Sequence, residues 1–505
     1  MSDAARSTRT ILLPLLLAGC TRASVPVPAA KAVVAATAAP DTAAASRERA
    51  RALLARAVDA LGGRDAVATL AGFELELDAY AARGNWQQAR VWTDTTPNPV
   101  PTKLRQLVDL ARGRAVNEFL STSPGPIRFH YRTQHDPAAS WQVDLMRWRL
   151  GDDLQRGSAA SARTNVASLA RQLPQGVLRQ AMAADTALRH AGTATRDGRA
   201  LELLTFPDPG APRAVTLAID AASARPAYVA VAGAEVAFDD WRSIDGVPVP
   251  YRRVQRADGV VAGTQLVTRV DLRPALDDAR FAVPAGFAEA PAPGAPRATR
   301  IADRVYRLDD LPGGYHAAFV VGDDGVSVLE APVSPAHAEA ALRLIADSAP
   351  GRTVARVFVT HHHNDHVGGL APYVARGAVV VVGAGLEEAV RRQLPDSLRA
   401  RVRFETVAAR RSFGAGTARI DALPVENGHA AGNVAYFLPA SGVLFQGDLF
   451  YIPERGVVPP AFTVTEALAR AVRDAGLRVR QVVGVHGRTG TWDEVEESRR
   501  RAAAR

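Results

Sequence analysis

One short segment of the chain places four potential metal ligands within six residues, in Thr360-His361-His362-His363-Asn364-Asp365-His366. An apolar run at residues 354–359 precedes it, and a pair of glycines follows at residues 368 and 369. Histidine offers a neutral imidazole nitrogen to a metal ion, and aspartate offers an anionic oxygen. In an extended segment alternate side chains share one side, so the first and third histidines lie together and the remaining ligands follow at the turn. One segment can therefore supply two adjacent metal ions.

Three consecutive histidines alone are only a compositional hint of metal binding, and a solvated histidine patch is the alternative. Three isolated residues further along the chain strengthen the metal hypothesis. His429 lies in Glu426-Asn427-Gly428-His429, Asp448 follows Leu444-Phe445-Gln446-Gly447, and His486 follows Val482-Val483-Gly484-Val485. Each alone could be an ordinary loop residue. Together, in this order and after short apolar runs, they resemble the signature of the metallo-β-lactamase superfamily of hydrolases.

This resemblance implies a ligand for every position of a dinuclear site. His361, His363 and His429 would bind one metal ion, Asp365, His366 and His486 the second, and Asp448 would bridge them. The resemblance implies two Zn²⁺ ions, or other divalent transition metals, with a coordination position left for water. A hydroxide shared by the two ions would attack a carbonyl carbon, and the same ions would stabilise the oxyanion. Because Asp365 would hold one of these ions, it is expected to be a catalytic residue as well as a metal ligand.

Four nearby residues receive subordinate roles. Tyr451 has the spacing from Asp448 of a tyrosine that lactone-hydrolysing relatives use to hydrogen-bond the substrate, and a core position is the alternative. His362 matches no ligand position. His316 is expected either to contact substrate or ligands or to be a packed histidine. Glu330, in Leu329-Glu330-Ala331-Pro332, stands where relatives commonly have an aspartate, and its carboxylate is expected to support the histidine segment.

The predicted reaction is hydrolysis of an ester, thioester or lactone of a small molecule. A β-lactam or amide hydrolase is an alternative, although true β-lactamases lack the bridging aspartate. A second alternative is an envelope lipoprotein that binds lipid or a partner and whose metal site is vestigial. Nucleic acid is not expected, because the net charge of +9 comes from arginines spread along the chain rather than from a dense basic patch.

The first 45 residues resemble a bacterial lipoprotein leader. Arg6 and Arg9 precede a short apolar run, and Leu17-Ala18-Gly19-Cys20 resembles the lipobox whose cysteine is lipidated. Residues 1–20 are therefore predicted to be a signal peptide, and residues 21–45 a disordered Ala/Pro tether. A plain signal peptide is the alternative. The expected location is the bacterial cell envelope, lipid-anchored at the membrane through Cys20 and facing the periplasm.

Two folded domains are predicted beyond the tether. Residues 46–287 begin with a helix that stops at Gly62-Gly63 and continue with strand patterns separated by Asp197-Gly198 and Asp245-Gly246 turns. This region is similar to periplasmic lipoprotein-carrier domains and could hold an acyl chain or a protein partner, or serve as a spacer. After an Ala-Pro linker at residues 288–298, residues 299–505 alternate strands and helices. Capping boxes at Thr463…Glu466 and Thr491…Glu494 are predicted to start the last two helices. The resemblance implies an α/β fold, the four-layer αβ/βα sandwich, preceded by a mainly antiparallel β domain with helices.

Overall fold

The computed structural model describes residues 42–292 and 294–504. The predicted signal peptide, the lipobox with Cys20 and nearly all of the predicted tether lie outside the described residues. Within the described ranges, no helix combines the length and the apolar character that crossing a bilayer requires.

The N-terminal domain is one large sheet with helices on it. Its helices are α1 (Ala43–Asp59), α2 (Gly63–Ala68), α3 (Ala159–Ala170) and α4 (Pro174–Ala183). Its strands are β1 (Gly72–Ala81), β2 (Thr102–Asp109), β3 (Arg114–Ser123), β4 (Ile127–His135), β5 (Ser140–Asp144), β6 (Asp153–Gly157), β7 (Arg189–Arg196), β8 (Arg199–Pro207), β9 (Ala214–Asp220), β10 (Pro226–Val231), β11 (Ala234–Ile244), β12 (Val247–Ala257), β13 (Val260–Asp271) and β14 (Ala288–Glu289).

Two antiparallel meanders, β1–β6 and β7–β13, make up this sheet and join where β1 pairs with β13. The predicted turns at Asp197-Gly198 and Asp245-Gly246 each have positive φ at both residues, the conformation that matches the twist of a tight hairpin. Apolar side chains of α1 and α4, such as Leu53 and Leu178, pack on the second meander and bury its core.

The C-terminal domain contains two sheets. The first consists of β15 (Arg297–Ala302), β16 (Val305–Leu311), β17 (Tyr315–Gly322), β18 (Gly325–Leu329), β19 (Val354–Phe358), β20 (Val379–Gly383) and β21 (Arg403–Val407). The second consists of β22 (Arg411–Phe413), β23 (Ile420–Pro424), β24 (Val434–Leu438), β25 (Val443–Gln446), β26 (Gln481–Gly484) and β27 (Gly490–Thr491). The helices are α5 (Pro335–Ser348), α6 (Asn364–Val367), α7 (Leu370–Ala375), α8 (Glu387–Gln393), α9 (Asp396–Arg399), α10 (Thr463–Asp474) and α11 (Trp492–Ala503).

These elements form four layers. The two sheets face each other across a dry core that includes Phe358 from the first sheet and Tyr436 and Phe445 from the second. Helices α5 and α7 pack on the outer face of the first sheet, and α10 and α11 pack on the outer face of the second. The predicted α/β sandwich preceded by a mainly antiparallel β domain is confirmed.

The two domains are in direct contact. Ile127 and Trp148 of the N-terminal domain belong to the same apolar cluster as Leu449 and Leu468 of the C-terminal domain. Within the segment predicted to be a linker, β14 pairs in parallel with β6, and Arg297 already begins β15. The N-terminal domain therefore packs against the outer face of the second sheet.

One of the two predicted capping boxes is present. At the start of α11 the Thr491 hydroxyl accepts a hydrogen bond from the Glu494 backbone nitrogen, and the Glu494 carboxylate accepts one from the Thr491 backbone nitrogen. The box predicted at Thr463 is wrong, because Thr463 is the first residue of α10 and Phe462 occupies the cap position. The Thr463 hydroxyl instead donates to the Gly125 carbonyl of the N-terminal domain, at 3.1 Å. A contact between domains has replaced the local cap.

Candidate metal centre

All seven predicted ligands lie at one end of the two central sheets, five of them in loops and two, Asp365 and His366, in the short helix α6. His361, His363, Asp365 and His366 follow β19, and His429 lies between β23 and β24. Asp448 follows β25 and His486 follows β26, each two residues beyond the strand. The structure brings them into two groups, His361/His363/His429/Asp448 and Asp365/His366/Asp448/His486, and the ligand atoms of each group lie within 4.8 Å of one another. Asp448 is common to both groups.

Glu330 orients two of the histidines, as the sequence predicted for a supporting carboxylate. Its Oε2 lies 3.0 Å from His366 Nδ1 and accepts a hydrogen bond from the Thr360 hydroxyl at 2.6 Å. Because the Thr360 proton is used there, its oxygen accepts from His361 Nδ1 at 3.0 Å. In both rings Nδ1 carries the proton, so Nε2 presents its lone pair to the site.

The N-terminal domain orients two other ligands with backbone carbonyls. His363 Nε2 donates to the Ala89 carbonyl at 3.1 Å, and His429 Nδ1 donates to the Pro124 carbonyl at 3.3 Å. A carbonyl can only accept, so these contacts fix the tautomer of each ring. His363 therefore offers Nδ1 to the site, and His429 offers Nε2.

The ligand atoms that these hydrogen bonds leave unpaired are arranged as bound cations would require. His363 Nδ1, His366 Nε2 and Asp448 Oδ1 are buried and have no hydrogen-bond partner among the described residues. His361 Nε2 and His429 Nε2 lie 3.3 Å apart, although both present lone pairs in the tautomers that their other contacts impose. Buried polar atoms are normally satisfied, and facing lone pairs repel. Positive ions between these atoms would remove both penalties, so the residues present fit a pair of metal ions.

Burial and mutual charge shift the pKa values of the ligands. Burial lowers the pKa of His361 and of His363 well below the ordinary value, which keeps both rings neutral. Burial alone would raise the pKa of Asp448, but the neighbouring His366 and His486 outweigh it and lower that pKa well below its usual range. The neutral rings of His361 and His363 and the ionised Asp448 are in the protonation states that metal binding requires. Burial alone would lower the pKa of His366, but the carboxylates of Asp448, Asp365 and Glu330 outweigh it and raise that pKa well above the ordinary value, so a metal ion would take the place of the proton on its Nε2.

The backbone is strained at Asp448, the ligand that the two groups share. Asp448 has φ of +56°, a left-handed conformation that non-glycine residues rarely adopt. The preceding Gly447 passes so close to Thr360 that an added Cβ would lie 2.1 Å from the Thr360 hydroxyl oxygen. The sharp turn after β25 thus places the shared carboxylate between the two groups of ligands.

Tyr451, His362 and His316 occupy different surroundings. The Tyr451 ring stacks on His486 with centroids 5.4 Å apart, and burial, together with the charge of Asp448, raises the pKa of its hydroxyl well above the ordinary value. His362 is buried and its Nε2 donates to the Trp86 carbonyl at 3.2 Å. His316 lies 3.2 Å from Glu454 and 3.7 Å from Asp309, in an ion-pair cluster beside the site.

Sequence reasoning missed a set of N-terminal residues that we call the cover: residues 86–90, 124–125 and 148–149. The Gln88 amide donates to Asp365 Oδ1 at 3.0 Å and to Asn364 Oδ1 at 2.5 Å. Trp148 is buried with its ring edge-to-face against Tyr451, at a centroid distance of 4.0 Å. Most of the cover acts through backbone carbonyls, which any residue can supply, so no pattern of residue types could have identified it.

Gly125 is the cover residue whose identity the structure explains. Its φ is +83°, and an added Cβ would lie 2.7 Å from the Val464 side chain and 3.1 Å from the His429 backbone nitrogen. Glycine adopts this conformation without steric cost. It thereby allows the Pro124 carbonyl to reach His429.

The chain is similar in sequence to several known proteins. Residues 311–486 match the family model of the metallo-beta-lactamase superfamily. The chain is 36% identical over 128 residues to a hydroxyacylglutathione hydrolase of Synechococcus sp. (strain JA-3-3Ab), covering 25% of this chain and 46% of that protein. It is 30% identical over 180 residues to the same-named enzyme of Gloeobacter violaceus, covering 36% and 64%. A metallo-beta-lactamase structure from Pontibacter korlensis aligns with a TM-score of 0.35 and 20% identity, over 42% of this chain and 100% of that one.

Proposed function

Because residues 311–486 belong to the metallo-β-lactamase superfamily, we propose that this chain is a dinuclear zinc hydrolase that cleaves thioester bonds. The chain spans 46% and 64% of the two relatives described above, so the activity of the whole protein is our proposal. Ester and lactone carbonyls are the nearest substrate classes in chemical terms.

One observation carries the proposal: seven ligand side chains converge as two groups that share Asp448. The opposite nitrogens of four of the histidines are already engaged, by Glu330, by Thr360 and by two carbonyls of the N-terminal domain. Such outer contacts orient metal ligands in functional sites. A vestigial site in a binding protein would have no need of this complete set, which is why we favour the enzyme.

When bound, two Zn²⁺ ions would make water nucleophilic near neutral pH and would stabilise negative charge on an attacked carbonyl oxygen. His361, His363 and His429 would hold one ion, and Asp365, His366 and His486 the other, with Asp448 between them. Tyr451, beside Asp448 and His486, would donate its hydroxyl proton in a hydrogen bond to the substrate. The buried surroundings of the ligands limit access of bulk water.

The thioester preference comes from the relatives. Both are hydroxyacylglutathione hydrolases, a name that denotes cleavage of an acyl group from the sulfur of glutathione. A thiolate leaves without prior protonation at neutral pH, so the site needs no additional general acid for this reaction. An amide or β-lactam nitrogen would require one.

Hydrolysis assays with metal-analysed full-length protein test this function. We expect close to two zinc ions per chain and a higher kcat/KM for acyl thioesters than for matched esters, lactones and β-lactams. Asp448→Ala should release or loosen at least one ion and abolish turnover. His130→Gln is the matched control, since alternation along β4 turns its side chain away from the face that carries Phe129 and Tyr131. A fully metallated protein that hydrolyses none of these substrates would favour the binding-protein alternative.

We also propose that the chain is anchored in the bacterial envelope through lipid on Cys20, on the strength of the lipobox-like Leu17-Ala18-Gly19-Cys20. Labelled palmitate should enter the wild-type protein in cells and should not enter Cys20→Ser. Equal labelling of both proteins would refute the anchor.

A further inference from the structure

We propose that Arg149 of the N-terminal domain binds a carboxylate group on the substrate and so selects anionic thioesters. This inference rests on the proposed function, because it assigns a substrate feature to the same site. It gives the N-terminal domain a role in recognition that the metal ligands cannot provide.

The loop that carries Arg149 is fixed against the C-terminal domain. Trp148 is 2% exposed, its indole nitrogen donates to the Arg128 carbonyl at 2.7 Å, and its ring packs edge-to-face on Tyr451 and Phe462. Aromatic contacts of this geometry add to the stabilisation that burial alone gives. Trp148 therefore attaches the loop directly beside Tyr451.

The backbone on either side of Trp148 is held by a single carboxylate. The buried Asp144 accepts from the backbone nitrogens of Met146 at 3.0 Å, Arg149 at 2.8 Å and Leu150 at 3.3 Å. Three hydrogen bonds to one anion give a preorganised turn rather than a mobile loop. The position of Arg149 is thus set before any ligand binds.

Arg149 directly follows Trp148, whose ring contacts Tyr451 at a centroid distance of 4.0 Å, so the Arg149 side chain starts beside the metal centre. This side chain is partly buried, and it lies within electrostatic reach of the hydroxyls of Tyr131, Tyr315 and Tyr451 and of the carboxylate of Asp365. Tyr315 and Tyr451 both contact the ring of His486, with centroids 5.0 and 5.4 Å away.

Arg149 is partly buried beside the metal centre and has no carboxylate partner in the described part of the chain. The fully buried Arg253, in the N-terminal sheet, also lacks one there and instead donates to Gln172 at 3.1 Å. Arg171 pairs with Asp208 at 3.1 Å and Arg307 pairs with Asp309 at 2.6 Å. Among the described residues, no carboxylate oxygen lies within 4.0 Å of the Arg149 guanidinium. A sequestered charge is normally paired, because removing it from water is costly. An anion that enters the site would supply the missing partner.

The donors present match a carboxylate. A planar guanidinium binds a carboxylate through two parallel hydrogen bonds, and flanking hydroxyls can donate further bonds to the same oxygens. The Asp365 carboxylate is not the expected partner of Arg149, because Asp365 is one of the predicted metal ligands. The aromatic rings of Trp148, Tyr315 and Tyr451 would enclose the apolar part of a short acyl or thiol chain.

Paired substrates test this role. The acetyl thioester of 3-mercaptopropionate carries a carboxylate, and the acetyl thioester of 3-mercaptopropanamide is its neutral match. Arg149→Gln should raise KM for the carboxylate substrate by about 10- to 100-fold, the loss expected for a charge-assisted hydrogen bond, and should leave KM for the amide and both kcat values nearly unchanged. Arg149→Lys should restore part of the affinity for the carboxylate substrate, since lysine keeps the positive charge but cannot form the two parallel hydrogen bonds of a guanidinium.

Arg147→Gln is the matched control, because this arginine lies in the same loop but pairs with Asp152. It should leave both KM values unchanged. Metal content and melting temperature should be the same for all variants. A rise in KM for both substrates alike in Arg149→Gln, or no change in either, would overturn the proposal.

Calorimetry with glutarate separates this proposal from the hydrolase itself. Glutarate should bind the metallated wild type and Arg147→Gln equally, and Arg149→Gln about 10- to 100-fold more weakly. If the wild type cleaves no thioester but shows this pattern, the proposed reaction fails and the anion site stands. Equal glutarate affinity in wild type and Arg149→Gln would refute the anion site even in an active hydrolase.

Discussion

The two sides of the metal centre are built in different ways. On the C-terminal side, seven side chains with metal-binding atoms project from the segments that follow strands of the central sheets. On the N-terminal side, the cover supplies backbone carbonyls and the side chains of Gln88, Trp148 and Arg149. The first side determines which metal chemistry is available. The second orients two ligands and, in our proposal, selects the substrate.

This difference separates two kinds of substitution. Changes on the C-terminal side should act through metal occupancy. Changes on the N-terminal side should leave the ions bound and act through geometry or through substrate affinity. Measurements of metal content and of turnover on the same variants can therefore assign each residue to one side.

The largest effect is expected from His361→Ala. The ring lies centrally, with His363, His366 and His429 centroids 4.4, 4.0 and 5.0 Å away. Its loss should lower kcat by about three orders of magnitude or more, because both the nucleophile and the stabilisation of the oxyanion depend on the ions. Turnover and metal content should fall together. An active variant after extensive chelation would place the chemistry outside this centre.

A smaller effect is expected from Glu330→Gln. The amide keeps the size of the side chain, but its NH2 group must replace either Oε1, which accepts from the Thr360 backbone nitrogen, or Oε2, which accepts from the Thr360 hydroxyl and faces His366 Nδ1. Metal affinity should fall by about 10- to 100-fold, the usual cost of losing a contact that orients a ligand. Titration with a competing chelator measures this change. Unaltered affinity would mean that the strand ends alone position His361 and His366.

Gly125→Ala tests whether the N-terminal side acts on geometry. Gly113→Ala is the matched control, since Gly113 also has positive φ but an added Cβ there meets nothing within 4 Å. Both variants should lose about 1–2 kcal/mol of stability from the strained backbone. Only Gly125→Ala should also lower turnover, because Val464 and His429 crowd the new methyl group. Equal turnover in the two variants would argue that the cover does not position His429.

The smallest effect is expected from Tyr451→Phe. One lost hydrogen bond to the substrate should lower kcat/KM by an amount equivalent to about 1–3 kcal/mol at most, with metal content unchanged. The ring should still pack on Trp148 and His486. If only the melting temperature changes, Tyr451 serves the contact between the two sides and has no role in the reaction.

Sequence patterns were sufficient to predict the fold class of the C-terminal domain and the residues that the structure brings together. They were sufficient because metal ligation needs particular residue types, and because the strands before them are marked by short apolar runs. The Asp-Gly turns of the N-terminal sheet were equally predictable, since positive φ at both residues restricts the choice of side chain.

Contacts in the folded chain, rather than sequence patterns, define how the N-terminal domain meets the metal centre. The carbonyls of Ala89 and Pro124 carry no residue identity, and Arg149 resembles every other arginine of the chain until its missing partner is seen. Thr463 shows the same limit: its pattern fits a local cap, yet its hydroxyl bonds to Gly125, which lies 338 residues away in the chain. Local patterns encode local geometry, whereas a contact between domains depends on which surfaces bury each other when the whole chain folds.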